Sequence, residues 1–306
     1  DTGADGLELN FGCPHGMCER GMGSAVGQEP EVLKVVAGWA VEFAHVPVLV
    51  KLTPNIGDIT VPGVAAVEAG AHGLSLINTI KSIVGVDLDR MVPHPVVGGR
   101  STNGGYCGPA VKPIALHMVA ALARDPRVTV PISGIGGIAT WRDAAEFIAL
   151  SCGTVQVCTA AMTYGFRIVQ EMCSGLAQWM DAGGHADLAA FRGRAVPNVT
   201  DWQYLNLNYV TKARIDQELC IKCGRCYAAC EDTSHQAIAM SEDRVFSVKD
   251  EECVACNLCV NVCPVENCIP MVPLGRGKVD PRTCRPVGDY ANWTQHPNNP
   301  SVKAAE

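Results

Sequence analysis

Aromatic residues are scarce in this 306-residue chain, at 6%, and charged residues reach only 18%. No apolar run attains the roughly 18–20 residues that a membrane span needs, and no basic-then-apolar leader opens the chain. Nothing in it therefore points to a membrane or to secretion. Basic residues are also few, 24 Lys and Arg against 31 Asp and Glu, for a net charge of −7. That balance weighs against a nucleic-acid binder that works by neutralising phosphates. There is no G-x-G-x-x-G opening a helix with an acidic residue about 20 positions on, so a dinucleotide site is lacking. An initiating Met is lacking too. The chain opens at Asp1-Thr2-Gly3 and runs straight into an apolar strand, and is expected to be an N-terminally truncated fragment. What is present is 48% hydrophobic residues, with 31 Gly and 19 Pro. This is enough for a sizeable core with many turns, and the length favours two domains.

The first two thirds read as strands alternating with helices. Strands are expected at 6–11, 46–52, 73–78, 131–134 and 154–158, with amphipathic stretches at 31–44, 61–69, 114–124 and 141–149. This is βα-repeat logic, giving an α/β unit with a parallel sheet and outer helices. Five strands are three short of a closed (β/α)8 barrel, and an open doubly wound sheet fits the pattern as well. The expected organisation is a barrel portion over 1–192, a polar connector over 193–214, a cysteine-dense unit over 215–272 and a flexible tail over 273–306.

Sixteen cysteines could suggest a secreted disulfide framework, but their placement is that of ligands. Cys220-x2-Cys223-x2-Cys226-x3-Cys230 is echoed 33 residues later by Cys253-x2-Cys256-x2-Cys259-x3-Cys263-Pro264. This is bacterial ferredoxin spacing, in which three cysteines of a run hold one [4Fe–4S] cluster and the fourth holds the other. By that rule the first cluster takes Cys220, Cys223, Cys226 and Cys263, and the second takes Cys253, Cys256, Cys259 and Cys230. Structural zinc is the alternative, but zinc has no use for the third and fourth cysteine of each run. Cys268 and Cys284 lie outside both runs and read as incidental. Paired clusters imply a single-electron relay, in a reducing, cytoplasmic compartment. Ten acidic and five basic side chains between Arg214 and Val272 give this unit an acidic surface.

In a βα unit, functional residues gather at the C-terminal ends of the strands. Those ends carry Asn10, then Lys51, then Asn78-Thr79, then Gly134-Ile135-Gly136-Gly137, then Cys158-Thr159. The Gly136-Gly137 turn would let backbone N–H groups approach a phosphate, although such a turn alone is often only a tight turn. Lys51, in an apolar stretch, needs an anionic partner, either a ligand or an ordinary ion pair. Asn10 and Asn78 could equally be satisfied structural amides. The loop after the first strand, NFGCPHGMCERGMG over 10–23, is glycine-rich and carries Cys13 just beyond the strand. Many single cysteines are inert packing; at this position, on a glycine-flanked loop at the strand-end rim, Cys13 reads as a proton donor.

The loop 10–23, Lys51-Leu52-Thr53-Pro54-Asn55, Asn78-Thr79, the glycine turn at 134–138, Gln156-Val157-Cys158-Thr159-Ala160 and the paired cysteine runs together resemble a known family. They look like the flavin barrel and ferredoxin module of the dihydropyrimidine dehydrogenases, in particular the PreA-type catalytic subunits of the bacterial NAD-dependent enzymes. The dihydroorotate dehydrogenases share the barrel more distantly. The resemblance implies a TIM-type (β/α)8 barrel lacking its first strands, followed by an α+β 2[4Fe–4S] domain. It implies FMN as cofactor and reduction of the 5,6 double bond of uracil or thymine. Cys13 would protonate C5 while the flavin delivers hydride to C6. Asn10, Phe11, Gly12, Asn78 and Thr79 would hold the pyrimidine base. Lys51 would sit by the flavin N1/O2 edge, with Gly108, Ile135, Gly136, Gly137, Cys158 and Thr159 around the ribityl phosphate. His15, Glu19 and Arg20 would belong to a closing loop. The family usually has Ser where this chain has Gly12. A partner subunit (PreT-type) with FAD and an NAD(H) site would pass electrons through both clusters, making a hetero-oligomer with no nucleic-acid or membrane partner. The competing readings are a dihydroorotate-oxidising enzyme and a ferredoxin-type carrier fused to a catalytically silent barrel remnant.

Overall fold

The computed structural model of the chain describes residues 3–15, 20–202, 210–233 and 235–274. The chain divides into two compact units, Asp1–Val199 and Thr200–Glu306. The tail expected from 273 onward lies outside the described residues from 275, as does Cys284.

In the first unit the strands are β1 (Leu7–Asn10), β2 (Val48–Lys51), β3 (Gly73–Leu76), β4 (Ile80–Ser82), β5 (Gly85–Asp87), β6 (Val92–His94), β7 (Gly104–Tyr106), β8 (Ile132–Ile135) and β9 (Cys152–Gln156). Five of them form a single parallel sheet in the order β1-β2-β3-β8-β9. The helices are α1 (Ser24–Gly27), α2 (Pro30–Phe43), α3 (Thr60–Glu68), α4 (Lys112–Arg124), α5 (Trp141–Ala149), α6 (Thr159–Tyr164) and α7 (Arg167–Gly183). All five expected strands and all four amphipathic stretches are present, 141–149 with the bounds expected and the others with one or both ends shifted by up to a few residues. The 17-residue α7 was not anticipated, nor were the antiparallel ribbons β4–β7 and β5–β6 that follow β3.

The two-residue period of the strands explains the layering. Val50, Leu74, Leu76 and Ile132 are buried in one core with Leu33, Ala37, Ala66, Ala115, Val119, Leu122 and Phe147 from the helices, and Val48 is buried as well. The alternate positions, Glu8, Lys51, Ser75, Ser133, Thr154 and Gln156, are polar and hydrogen-bonded to one another. Gln156 Nε2 of the last strand lies 3.0 Å from Glu8 Oε2 of the first, so the sheet curls until its two edge strands meet through side chains. Helix α5 begins with a reciprocal cap, in which Thr140 accepts from the Asp143 N–H and Asp143 accepts from the Thr140 N–H at 2.7 Å.

The second unit pairs β10 (Val210–Ala213) with β13 (Met271–Leu274), and β11 (Ile238–Met240) with β12 (Phe246–Val248), both antiparallel. Strand β10 falls inside the stretch read from sequence as connector. Helices α8 (Arg225–Glu231) and α9 (Leu258–Val262) start 33 residues apart, so the cysteine repeat is also a repeat of structure. Ala213, Cys226, Ile238, Phe246, Cys268 and Ile269 form a small separate core. An Arg214–Asp250 pair, bonded twice at 2.6 and 2.8 Å, ties the end of β10 to the loop after β12.

Phe147 is fully buried in the larger core, whereas Trp39 on α2 is 60% exposed. Phe147→Ala is expected to destabilise the first unit by about 3–5 kcal/mol through lost burial and a residual cavity, read as a lower denaturation midpoint at unchanged m. Trp39→Ala should shift it by less than about 0.5 kcal/mol.

Candidate active site and cysteine sites

The polar face of the sheet is held by Glu8. Its carboxylate accepts from Ser75 Oγ at 2.8 Å, Gln156 Nε2 at 3.0 Å and Lys51 Nζ at 3.1 Å. Burial pushes the Glu8 carboxyl up, but the Ser75 and Gln156 hydrogen bonds and the Lys51 charge together hold it below its ordinary value. Lys51 also reaches Gln156 Oε1 at 3.4 Å. Both possibilities left open for Lys51 are thus present in its surroundings: it pairs with an anion of its own sheet, and it lines the main cleft.

That cleft has a cavity volume of about 320 Å³ over the strand ends, within the range of small-molecule and cofactor sites. Lys51, Asn78, Thr79, Gly108, Ile135, Gly136, Gly137, Cys158 and Thr159 all line it. Seven of these are the residues expected around a flavin. Cys107, which the sequence reading did not single out, lines it too. Gly137 has φ +75°, and a Cβ there would meet the Gly108 carbonyl at 2.8 Å and Lys112 Cβ at 2.9 Å, so backbone faces the cleft where a side chain cannot stand. Thr79 Oγ1 is buried without a hydrogen-bond partner among the described residues, the kind of orphan that a bound molecule satisfies. Glycine backbone, an ammonium and a ring of small polar groups fit a phosphate-bearing planar cofactor.

Beside this cleft stands the thiol loop. Asn10 Oδ1 accepts from the Gly12 and Cys13 N–H groups, each at 3.2 Å, and from Asn78 Nδ2 at 2.8 Å. One carbonyl therefore sets the loop and joins it to the end of β3. Cys13 Sγ lies 3.5 Å from His15 Nδ1, a contact that the sequence could not give. Gly12 has a steric reason: a Cβ there would fall 2.4 Å from Asn78 Cβ and 2.9 Å from the Leu52 carbonyl. Phe11 contributes backbone to the rim, while its ring is 7% exposed and belongs to the core. Ribbon strand β7 covers this region, with Gly105 backed against Thr79 Oγ1 and His15. Asn55, donating to the Thr79 carbonyl at 3.0 Å and accepting from the Lys81 N–H at 2.8 Å, pins the ribbon's start. Of the closing-loop residues, Glu19 lies outside the described residues, and Arg20 is exposed.

In the second unit the eight motif cysteines line two cavities. One is lined by Cys220, Cys223, Cys226 and Cys263, the other by Cys253, Cys256, Cys259 and Cys230. The fourth cysteine of each run is thus placed with the other run's first three. The loops repeat in backbone as well: Lys222 and Gly224 flank Cys223 with positive φ, as Ala255 and Asn257 flank Cys256. Tyr227 and Val260 N–H groups bond to the Cys226 and Cys259 sulfurs, and Ala237 N–H reaches Cys230 Sγ at 3.2 Å. Burial, reinforced by neighbouring thiols, pushes Cys226 up and Cys259 up to about 11. Metal must therefore displace protons here. Among the described residues no three His, Cys, Asp or Glu side chains close around a single ion. One expectation needs correction. Cys268, read as incidental, is 2% exposed and lines the first of these cavities, because the turn after Pro264 carries it back toward Cys220.

The family model for dihydroorotate dehydrogenase matches residues 2–180, more than half of the chain. The chain belongs to the dihydroorotate dehydrogenase family. The family match covers the sheet, the cleft and the thiol loop, and a second model, a 4Fe-4S dicluster domain, matches residues 213–271. The chain is 44% identical over 273 residues to the NAD-dependent dihydropyrimidine dehydrogenase subunit PreA of Escherichia coli K12, covering 89% of this chain and 66% of that protein. It is 45% identical over 203 residues to the chloroplastic dihydropyrimidine dehydrogenase (NADP(+)) of Arabidopsis thaliana, covering 65% of this chain and 48% of that one. The catalytic subunit of dihydroorotate dehydrogenase B from Pyrococcus abyssi is 39% identical over 193 residues, covering 63% of this chain and 61% of that one. The chain thus spans about two thirds or less of the length of these relatives. Among the described residues no helix is long and apolar enough to cross a membrane.

Because Glu8 is held below its ordinary value of 4.5, the folded first unit binds fewer protons than the unfolded chain in the window just below that value. Stability from this network is present above pH about 4.5 and lost as pH falls through the lowered value. Glu8→Gln should flatten the acid limb of stability against pH, measured by urea titration between about pH 3 and 6. An acid limb unchanged by the substitution would show that Glu8 does not carry the effect.

Proposed function

We propose that the chain is the catalytic part of a flavin and iron–sulfur dihydropyrimidine dehydrogenase that reduces the 5,6 double bond of uracil or thymine. Its electrons come from an FAD- and NAD(H)-carrying partner subunit by way of two [4Fe–4S] clusters. The observation that carries this reading is the Asn10–Asn78 amide pair set against the Cys13 thiol at the mouth of the cleft. Neutral amides suit the uncharged imide edge of a pyrimidine base. The cation lining the cleft, Lys51, already faces Glu8 and is not free for a substrate carboxylate.

FMN is the group that the cleft would hold, with Gly108, Ile135, Gly136, Gly137, Cys158 and Thr159 about its phosphate arm and Lys51 by its ring. When bound, it supplies hydride to C6 of the base. Cys13 then gives its thiol proton to C5, and the imidazole of His15 beside it is placed to return that proton from solvent. Asn10 orders the donor by holding the backbone N–H of Cys13, so the thiol is aimed before a substrate arrives. The ribbon's Gly105 stands against Thr79 and His15. In the second unit, Cys220, Cys223, Cys226 and Cys263 would hold one cluster, and Cys253, Cys256, Cys259 and Cys230 the other.

A dihydroorotate-oxidising enzyme is the second reading, favoured by the match to the Pyrococcus abyssi protein. Turnover assays on the full-length enzyme with its partner separate the two. Uracil or thymine should reoxidise the reduced enzyme, and reoxidation by orotate alone would favour the second reading. Cys13→Ala should cut uracil reduction by about 10²–10⁴-fold with flavin and iron content unchanged; undiminished turnover removes Cys13 as the acid. In the anaerobically purified chain, Cys256→Ser should lower iron from about eight to about four atoms. A protein that contains only zinc would overturn the relay.

A further inference from the structure

The position five residues beyond the last cysteine of each run occupies the same place in both halves of the second unit. After Cys263 it is Cys268, which lines the cavity of Cys220, Cys223, Cys226 and Cys263. After Cys230 it is His235, which lines the cavity of Cys253, Cys256, Cys259 and Cys230. The repeat therefore presents one extra side chain to each four-cysteine site, and the two side chains differ.

Cys268 is anchored there by its backbone. Its carbonyl accepts from the Asp216 N–H at 2.9 Å, and its own N–H reaches the Val265 carbonyl at 3.4 Å. One acceptor for the thiol is a backbone carbonyl. The Asp216 carbonyl is 3.8 Å away and already takes the Cys220 N–H at 3.0 Å. The sulfurs of Cys263 and Cys220 line the same cavity as Cys268. When those sulfurs bind iron they are thiolates, far better acceptors than a carbonyl that is already engaged. Cys268 belongs to neither ferredoxin run and is not needed to complete four ligands.

We propose that the Cys268 thiol donates a hydrogen bond to the sulfur ligands of the first iron–sulfur site and so raises the reduction potential of that cluster alone. The inference rests on the two-cluster reading above. Hydrogen bonds to cluster sulfurs favour the more negative, reduced state, which makes them one of the determinants of cluster potential. With a thiol at one site and an imidazole at the other, two sites with otherwise matching loops become unequal, giving the relay a direction.

The test is a potentiometric titration of both clusters, followed by electron paramagnetic resonance, on the full chain purified anaerobically. Wild type, Cys268→Ala and Cys268→Ser are compared, with iron and sulfide measured in each. In Cys268→Ala one midpoint should fall, so that at a fixed poise the reduced-to-oxidised ratio of that cluster drops about three- to tenfold, tenfold being about 59 mV for one electron. The other midpoint and the iron content should not move. Cys268→Ser, which keeps a donor, should recover most of the shift. Two unmoved midpoints in Cys268→Ala overturn the proposal. Loss of half the iron in both variants also overturns it, since Cys268 would then be a ligand. A wild-type protein without iron overturns the two-cluster reading itself.

Discussion

The concave face of the sheet depends on one carboxylate. Glu8 belongs to the first strand of the sheet and bonds side chains from the second, third and last strands, Lys51, Ser75 and Gln156. A parallel sheet normally buries apolar residues on both faces. Here one face is polar, so each of its groups needs a partner, and a partly satisfied network is costlier than an apolar one. Glu8 meets that requirement for three strands at once. It also compensates Lys51 inside the cleft, so the ammonium can stand there before any cofactor phosphate or ring contributes charge.

The second unit solves a related problem with backbone rather than side chains. Gathering four thiols demands tight loops, and left-handed residues on either side of Cys223 and Cys256 make them. Backbone N–H groups of Tyr227, Ala237 and Val260 point at sulfur, so acceptors that would otherwise be desolvated are paired. Burial pushes the Cys226 and Cys259 thiols up, and the free energy of metal binding becomes part of the stability of the folded unit.

Much of this was legible in the sequence, for reasons that differ by element. The five strands could be read because each apolar run is short and ends at a polar or small residue. The cysteine runs were the clearest feature, since rigid spacing leaves few geometries, and the cavities group the thiols as the spacing rule does. Glu8 was hidden because a charged residue in a strand says nothing of which face it takes until strand pairing is known; its only signal is that it stands two positions before Asn10. The β4–β7 and β5–β6 ribbons have three-residue strands, too short for a periodic signal. Helix α7 buries only Ile168 and Met172, a stripe too thin to stand out. Cys268 was set aside because distance along the chain cannot report a turn that brings it back. Phe11 was expected at the base, but its ring serves the core.

The way in which Asn10 is used has a consequence for recognition. Its carbonyl oxygen already receives three N–H groups, from Gly12, Cys13 and Asn78. Asn78 spends one amide hydrogen on that bond, and its oxygen accepts from the Thr79 N–H at 2.8 Å. The mouth of the cleft is therefore left with hydrogens to give and few lone pairs to offer. A ring that presents oxo groups would meet complementary charge there. One bearing an exocyclic amine in the same place would bring hydrogen against hydrogen, so these two amides discriminate by polarity before any chemistry begins.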